Sequence, residues 1–598
     1  MFPLLAVLSS MPVAAQTTGL VPLNDLGSGL YQRFQGGLYP GGGNTPPAAH
    51  LTAALQTAGQ IVPRNAAGLP DTDGFIGFVA IGMSNTTHEF GAFERNEDAN
   101  PGRNARVVLM DTALGGQTAA ILANPGASYW TVAMQRLAAM GLSAARVQVA
   151  WLKEADAAPP NNFPVHAQTL RDELGAVVRN LHDKFPNHRL CYLSSRTYGG
   201  YAAPGSLNPE PQAYESGFAV RWLIEDQIAG SPGLSYGQVQ APVRAPLLLW
   251  GPYLWADGTN PRSDGLVWLP TDFESDHTHP SPDGEQKVAG LLSGYFASEP
   301  TAAGWWPAWP DAALVTVKAR DDADVRAASP ATNFGLQPLL LAQGGTLPIL
   351  TYLGFDMGLA GRPAALAKLS LRVGQSGGGQ VSLLNDTSWS EAAITYANAP
   401  PPGAPLVDMP QSSRDGTIAA NVTGAVNADP DGVVAFTLSV AGTSQTSYVS
   451  KEGGQAPRLV LVVPAACAGS PDSDGDRTSD GCDCAPFDPA ASAVPAEVQH
   501  LRWPDPATVA WDTLAPSAGS GTLYDVMAGD LAEIALPGTG SQDLCLADDL
   551  AGTSLPDPTL PPARGRGIFF YVRGVNACGV GRYRTSSSGQ DRPSIVCP

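Results

Sequence analysis

The sequence predicts a multidomain chain: an N-terminal α/β three-layer domain built on a parallel sheet, followed by two all-β sandwiches. Two observations carry this expectation. In the first half, strand-like runs appear at Phe75–Ile81, Arg106–Met110, Ala145–Leu152, Leu190–Ser194 and Pro246–Trp250, with helical stretches between them. Strands apolar on both faces and separated by helices imply a parallel sheet covered on both sides. The clearest helix sets Leu170, Leu174, Val177, Val178, Leu181 and Phe185 on one face at the 3.6-residue period. From residue 312 onward that period disappears. Short alternating runs split by Gly and Pro replace it, the pattern of antiparallel sandwiches.

At 598 residues the chain exceeds a single core, and its length suggests roughly four domains. The net charge of −20, with no basic cluster, excludes binding to a phosphate backbone. Few charges (15%) beside 66 Gly and 54 Pro suit a loop-rich exported β protein. Met1–Gln16 has a short apolar stretch and then Val13-Ala14-Ala15, an A-x-A-like cleavage site, so it reads as a secretory signal peptide. It lacks a leading Lys or Arg, and an apolar N-terminal strand is the alternative. No later run of about 18 apolar residues exists to form a membrane span. Cys191, in the apolar run Leu190-Cys191-Tyr192-Leu193, reads as a buried free thiol. The other six cysteines (Cys467, Cys482, Cys484, Cys545, Cys578 and Cys597) lie in the last quarter and read as disulfides of a secreted, extracellular or cell-surface protein. Zinc at Cys482-Asp483-Cys484 is the weaker reading, since no histidine cluster lies nearby.

Two short stretches carry the chemistry. Gly82-Met83-Ser84-Asn85 closes the first apolar strand and delivers a serine into a turn. Asp276-His277-Thr278-His279-Pro280-Ser281 holds a carboxylate and an imidazole three positions apart. Together they supply the nucleophile, base and orienting acid of acyl transfer. Thr86 stands where the last glycine of a G-x-S-x-G elbow would be, which argues against an ordinary α/β-hydrolase. In open parallel sheets ligands bind beyond the carboxyl ends of the strands, where Ser84 and Gly115-Gly116 both fall. Ser281 as N-cap and Pro282 at the first helical position predict a last helix over Asp283 to Phe296, with Asp276 and His279 on the loop leading into it. The competing readings are an N-cap and a surface histidine for Asp276 and His279, or metal ligation by His277 and His279. His88 reads as a pocket or capping residue, and Arg196 as a pocket or a surface arginine.

On these blocks, residues 17–305 resemble the SGNH hydrolases, also called GDSL esterases. The resemblance implies a flavodoxin-like domain in which Ser84 is nucleophile, His279 base and Asp276 its orienter. The N–H groups of Ser84 and of Gly115 or Gly116 would form the oxyanion hole, with no cofactor for catalysis. The third block is expected to bring an asparagine. This chain has Trp151-Leu152-Lys153-Glu154-Ala155-Asp156 there, closer to the variant of carbohydrate acetylesterases. Asp156, Asn161, Asn162 and Arg196 are therefore candidates for a third donor or for the pocket.

Residues 306–311, within a stretch rich in Pro and Trp, read as a linker. Residues 312–465 resemble DNRLRE-type carbohydrate-binding modules through Ala323-Asp324-Val325-Arg326, Thr332-Asn333-Phe334-Gly335, Trp389-Ser390-Glu391 and Ser450-Lys451-Glu452, among other pieces. A structural spacer of the same fold is the alternative. In the linker 466–494, Asp472, Asp474, Asp476 and Asp480 are hard oxygen ligands suited to Ca²⁺. That stretch resembles a thrombospondin type 3 repeat, departing from it at Arg477, where glycine is expected; a solvated acidic linker is the alternative. Residues 495–598 resemble a fibronectin type III-like sandwich. The whole predicts an exported serine esterase that removes acyl groups, acetyl foremost, from a polysaccharide or acylated sugar, with no nucleic-acid partner. The rivals are a surface adhesin with an inactive hydrolase-like domain, and a lipid or short-chain esterase with an apolar acyl channel.

Overall fold

The computed structural model describes residues 17–598 except 204–205, 238–241, 358–363, 430–431, 465–483, 486–487, 492–493, 532–543, 558–565, 584–596 and 598. The expected signal peptide, Met1–Gln16, and the acidic loop bearing Asp472, Asp474, Asp476 and Asp480 lie outside the described residues. The chain divides into two units, Met1–Val463 and Pro464–Pro598.

The first unit begins with a five-stranded parallel sheet: β1 (Ile76–Gly82), β2 (Val107–Asp111), β3 (Val147–Lys153), β4 (Leu190–Ser194) and β5 (Leu247–Trp250), in the order β2-β1-β3-β4-β5. This is the doubly wound order of flavodoxin-like sheets. Every residue of these strands is buried, as their largely apolar runs predict. The major helices are α1 (Ala48–Ala58), α2 (Ser84–Glu97), α3 (Ser128–Ala139), α4 (Val165–Lys184), α5 (Gln212–Ile228) and α6 (Pro282–Ser298). The α4 stripe Leu170, Leu174, Val177, Val178 and Leu181 is buried. At the head of α6 the Ser281 hydroxyl accepts the Gly284 N–H at 3.3 Å, and Pro282 occupies the first turn, where its missing N–H costs nothing.

The α/β half continues into the sandwich without a loose connection. Trp305 and Trp306, at the edge of the expected linker, are 0% and 3% exposed, and Trp306 stacks on Phe93 at 5.8 Å. Their composition looked linker-like, but large aromatic side chains gain more from burial than the flanking prolines gain from solvent. The sandwich comprises β6 (Ala312–Lys318), β7 (Asp321–Arg326), β8 (Leu339–Ala342), β9 (Ile349–Asp356), β10 (Leu366–Arg372), β11 (Ser376–Leu384), β12 (Pro405–Ser413), β13 (Thr417–Asn421), β14 (Val433–Ser439), β15 (Thr446–Val449) and β16 (Arg458–Pro464). A five-stranded sheet in the order β12-β11-β14-β9-β7 faces a four-stranded one in the order β13-β10-β16-β6. Leu353, Phe355, Leu369, Phe436 and Leu459 fill the space between them.

The sandwich and the α/β half share a buried polar seam. Lys368 Nζ on β10 pairs with Glu94 at 2.9 Å and with Asp98, both on or just after α2. Arg372 at the end of β10 holds Glu285 of α6 with two hydrogen bonds, 2.8 and 2.7 Å. Arg458 donates to the Arg95 carbonyl at 3.0 Å. Removing one member of a buried pair costs about 3–5 kcal/mol, because the other charge is left unpaired in a low dielectric. These contacts explain why residues up to Val463 form one compact unit.

The second unit holds two antiparallel sheets: β17 (Arg502–Asp505), β18 (Thr508–Ala510) and β21 (Ser554–Pro556) in one, and β20 (Leu544–Leu550), β19 (Leu523–Asp530), β22 (Ile568–Asn576) and β23 (Gly579–Val580) in the other. Trp511, Tyr524 and Val526 lie in its core. Disulfides join Cys484 to Cys578 and Cys545 to Cys597. The zinc alternative for Cys484 is thereby excluded. Cys191 is the free cysteine among the described residues and is buried.

Candidate functional site

Ser84 follows directly from β1. Gly82 turns the chain there with φ +158°, and a Cβ would lie 2.3 Å from both the Lys153 carbonyl oxygen and Thr86 Oγ1, so only glycine fits. Met83 then caps α2 in an extended conformation, and Ser84 opens the helix. The first N–H groups of a helix have no partner within it, so the Ser84 amide is available to an anion.

The second stretch folds into a tight loop before α6. Asp276 Oδ1 accepts the N–H groups of Thr278 and His279, each at 2.9 Å, while Oδ2 accepts the His279 Nδ1 proton at 2.5 Å. His277, between them, takes the left-handed conformation at φ +53°. With Nδ1 protonated, His279 Nε2 accepts the Ser84 hydroxyl at 2.8 Å. Asn85 Nδ2 donates to the Thr278 carbonyl at 2.9 Å and so ties the start of α2 to the Asp276–His279 loop. Sequence reading did not single out Asn85, although it is the neighbour of the serine. Partial burial pushes the Asp276 carboxyl up, but the backbone and imidazole of His279 and the backbone of Thr278 outweigh this and hold it at about 2. The carboxylate therefore stays ionised and keeps the imidazole in one tautomer.

His88 packs on the base. Its ring stacks on His279 with centroids 5.5 Å apart and is 5% exposed. Burial first, then the neighbouring His279 and Arg372, hold it down at about 3, so the ring beside the base is neutral. No hydrogen bond links it to Ser84 among the described residues.

The oxyanion donors separate. Gly115 is close to the nucleophile, since a Cβ on it would lie 3.7 Å from Ser84 Cβ, but its N–H donates to Ser413 Oγ at 2.9 Å. The Gly115 N–H, expected to donate to an oxyanion, is thus already engaged, whereas the Gly116 N–H has no partner among the described residues. Gly116 sits at φ +76°. Asp156 and Asn162 accept other N–H groups, those of Ala120 at 3.3 Å and His166 at 3.2 Å. Asn161 lines a separate cavity of about 410 Å³ with Tyr198, Glu210 and Gln212. Arg196 is 5% exposed and faces the carboxylates of Glu89, Glu154 and Glu210, so it is a buried structural cation rather than a surface one. At the third block, Lys153 Nζ binds both oxygens of Glu89 at 2.5 Å. Burial lowers the Lys153 ammonium to about 8, partly offset by Glu89. No side chain of the third block hydrogen-bonds Ser84 among the described residues.

No curated protein matches the chain. Among solved structures, a gut microbial diltiazem-metabolizing enzyme is 12% identical over 54% of this chain and 71% of its own, with a TM-score of 0.22. A capsular polysaccharide assembling protein, CapF, from Staphylococcus aureus is 10% identical over 64% of this chain and 95% of its own, with a TM-score of 0.09. Likeness at that level bears on neither fold nor function. A family model does match within the sandwich: residues 313–463 are similar to carbohydrate-binding module family 96.

Proposed function

We propose that the chain is an exported serine esterase that removes acyl groups, acetyl foremost, from a carbohydrate. The observation that carries this reading is the continuous relay from Ser84 through His279 to Asp276, at 2.8 and 2.5 Å, at the carboxyl edge of the sheet. In the reaction Ser84 Oγ adds to the ester carbonyl as His279 Nε2 takes its proton. The Ser84 and Gly116 N–H groups hold the oxyanion. His279 then passes that proton to the departing sugar oxygen, leaving an acyl-serine. A water molecule repeats the cycle and releases the acid.

The sugar half of the proposal rests on the module-like segment 313–463. Export is supported by the disulfides Cys484–Cys578 and Cys545–Cys597. One observation favours an inactive adhesin instead: among the described residues, no side chain of the third block hydrogen-bonds Ser84. Turnover of p-nitrophenyl acetate against p-nitrophenyl octanoate decides. The esterase reading expects the acetate to be preferred. Equal or better octanoate turnover favours a lipid esterase, and no turnover of either favours the adhesin.

A further inference from the structure

The sandwich reaches the catalytic groups through the turn that carries the chain from β12 in one sheet to β13 in the other. Ser413 accepts the Gly115 N–H at 2.9 Å across 298 positions of sequence. The backbone of the next residue, Arg414, acts on the His88 ring by favouring its protonated form, and that ring stacks on His279. Gly416 is pressed against the first turn of α2, since a Cβ there would lie 2.6 Å from Thr87 Cγ2. Two buried arginines fix this turn. Arg136 donates to the Asp111 and Ala113 carbonyls at 3.1 and 2.8 Å and to the Gln411 carbonyl at 3.0 Å, bridging the strand before the glycine turn to β12. Arg372 joins Glu285 to Asp415.

We propose that this inter-sheet turn is a wall of the catalytic pocket and that Ser413 is a positioning residue for the Gly115–Gly116 turn. The argument rests on the esterase reading and deepens it. Two successive glycines are the most conformationally free backbone available. Here they must hold one N–H within a few tenths of an ångström of a developing oxyanion. Within the α/β half the turn is tied by Leu114 N–H to the Gly82 carbonyl at 3.0 Å and by Gln117 N–H to the Leu114 carbonyl at 3.3 Å. Among the described residues, the Gly115 N–H is tied through Ser413. Anchoring that amide fixes the orientation of the next peptide plane, which carries the Gly116 N–H. The module thus acts inside the active site, whether or not a polymer is bound.

The test uses the full chain, wild type, Ser413→Ala and Ser413→Thr, on p-nitrophenyl acetate, a substrate too small for a binding module to capture. Ser413→Ala should lose about tenfold in kcat with KM little changed, and Ser413→Thr, which keeps the hydroxyl, should recover much of it. Hydrogen exchange at the Gly115 amide should accelerate in Ser413→Ala and not in Ser413→Thr, a readout independent of turnover. Equal exchange in wild type and Ser413→Ala, or an active wild type matched by Ser413→Ala in kcat, overturns the positioning role alone. A wild type that hydrolyses no ester overturns the esterase reading, and the positioning role with it.

Discussion

Asp276 touches its neighbours through both carboxylate oxygens, and each contact depends on its negative charge. Its carboxyl sits at about 2 against an ordinary 3.8, so the stability it contributes is present above about pH 4 and is lost as pH falls through 2. The melting temperatures of wild type and Asp276→Asn should therefore differ above pH 4 and converge toward pH 2, measured by calorimetry across that range. The half-exposed side chain makes that difference small. Ser84 and His279 act as one unit. Ser84→Ala and His279→Ala should each lower kcat by about 10⁴ to 10⁶, with little further loss in the double variant. Asp276→Asn should cost the same or less, since it disturbs tautomer and orientation and leaves the base in place. His88, held neutral by burial, stacks on the base without a hydrogen bond to Ser84, and His88→Phe should keep most of the activity.

At the scale of elements, the sheet and the entrance to α6 were legible because local signals decide them. Five largely apolar runs became five buried parallel strands, and Ser281-Pro282 began α6 as its capping chemistry requires. The D-x-x-H spacing of Asp276 and His279 places both groups on one turn of chain, so that pair too could be read from sequence. The rest depends on contacts across hundreds of residues. Arg372, Lys368 and Ser413 look like ordinary polar positions of a β segment, and nothing local reveals that their partners are Glu285, Glu94 and Gly115. The same holds for Gly115, whose glycine character was legible while the partner of its N–H was not. Arg372→Ala leaves Glu285 buried without its bidentate partner and should destabilise the first unit by about 3–5 kcal/mol. Chemical denaturation of the two proteins checks this, and Arg372→Ala with Glu285→Gln together should recover part of the loss.

Over the whole molecule, the charge of −20 is unevenly placed, with four aspartates within 472–480. We propose that these bind Ca²⁺, whose charge relieves their mutual repulsion. Binding to the folded state alone raises stability by mass action, so millimolar Ca²⁺ should raise the melting temperature of the EDTA-treated chain. EDTA should meanwhile leave short-ester turnover unchanged, because the proposed mechanism runs on Ser84, His279 and Asp276. A melting temperature indifferent to Ca²⁺ removes the calcium proposal and leaves the esterase proposal standing.

The central claim joins a serine relay to a carbohydrate ester, and acetate release from an acetylated polysaccharide tests both halves at once. Wild type and Ser84→Ala are compared side by side at matched folding, verified by circular dichroism. The account predicts steady acetate release by the wild type and a drop of at least about 10⁴-fold in Ser84→Ala. Equal release by the two proteins, or none from the wild type on any acetylated polysaccharide, contradicts it.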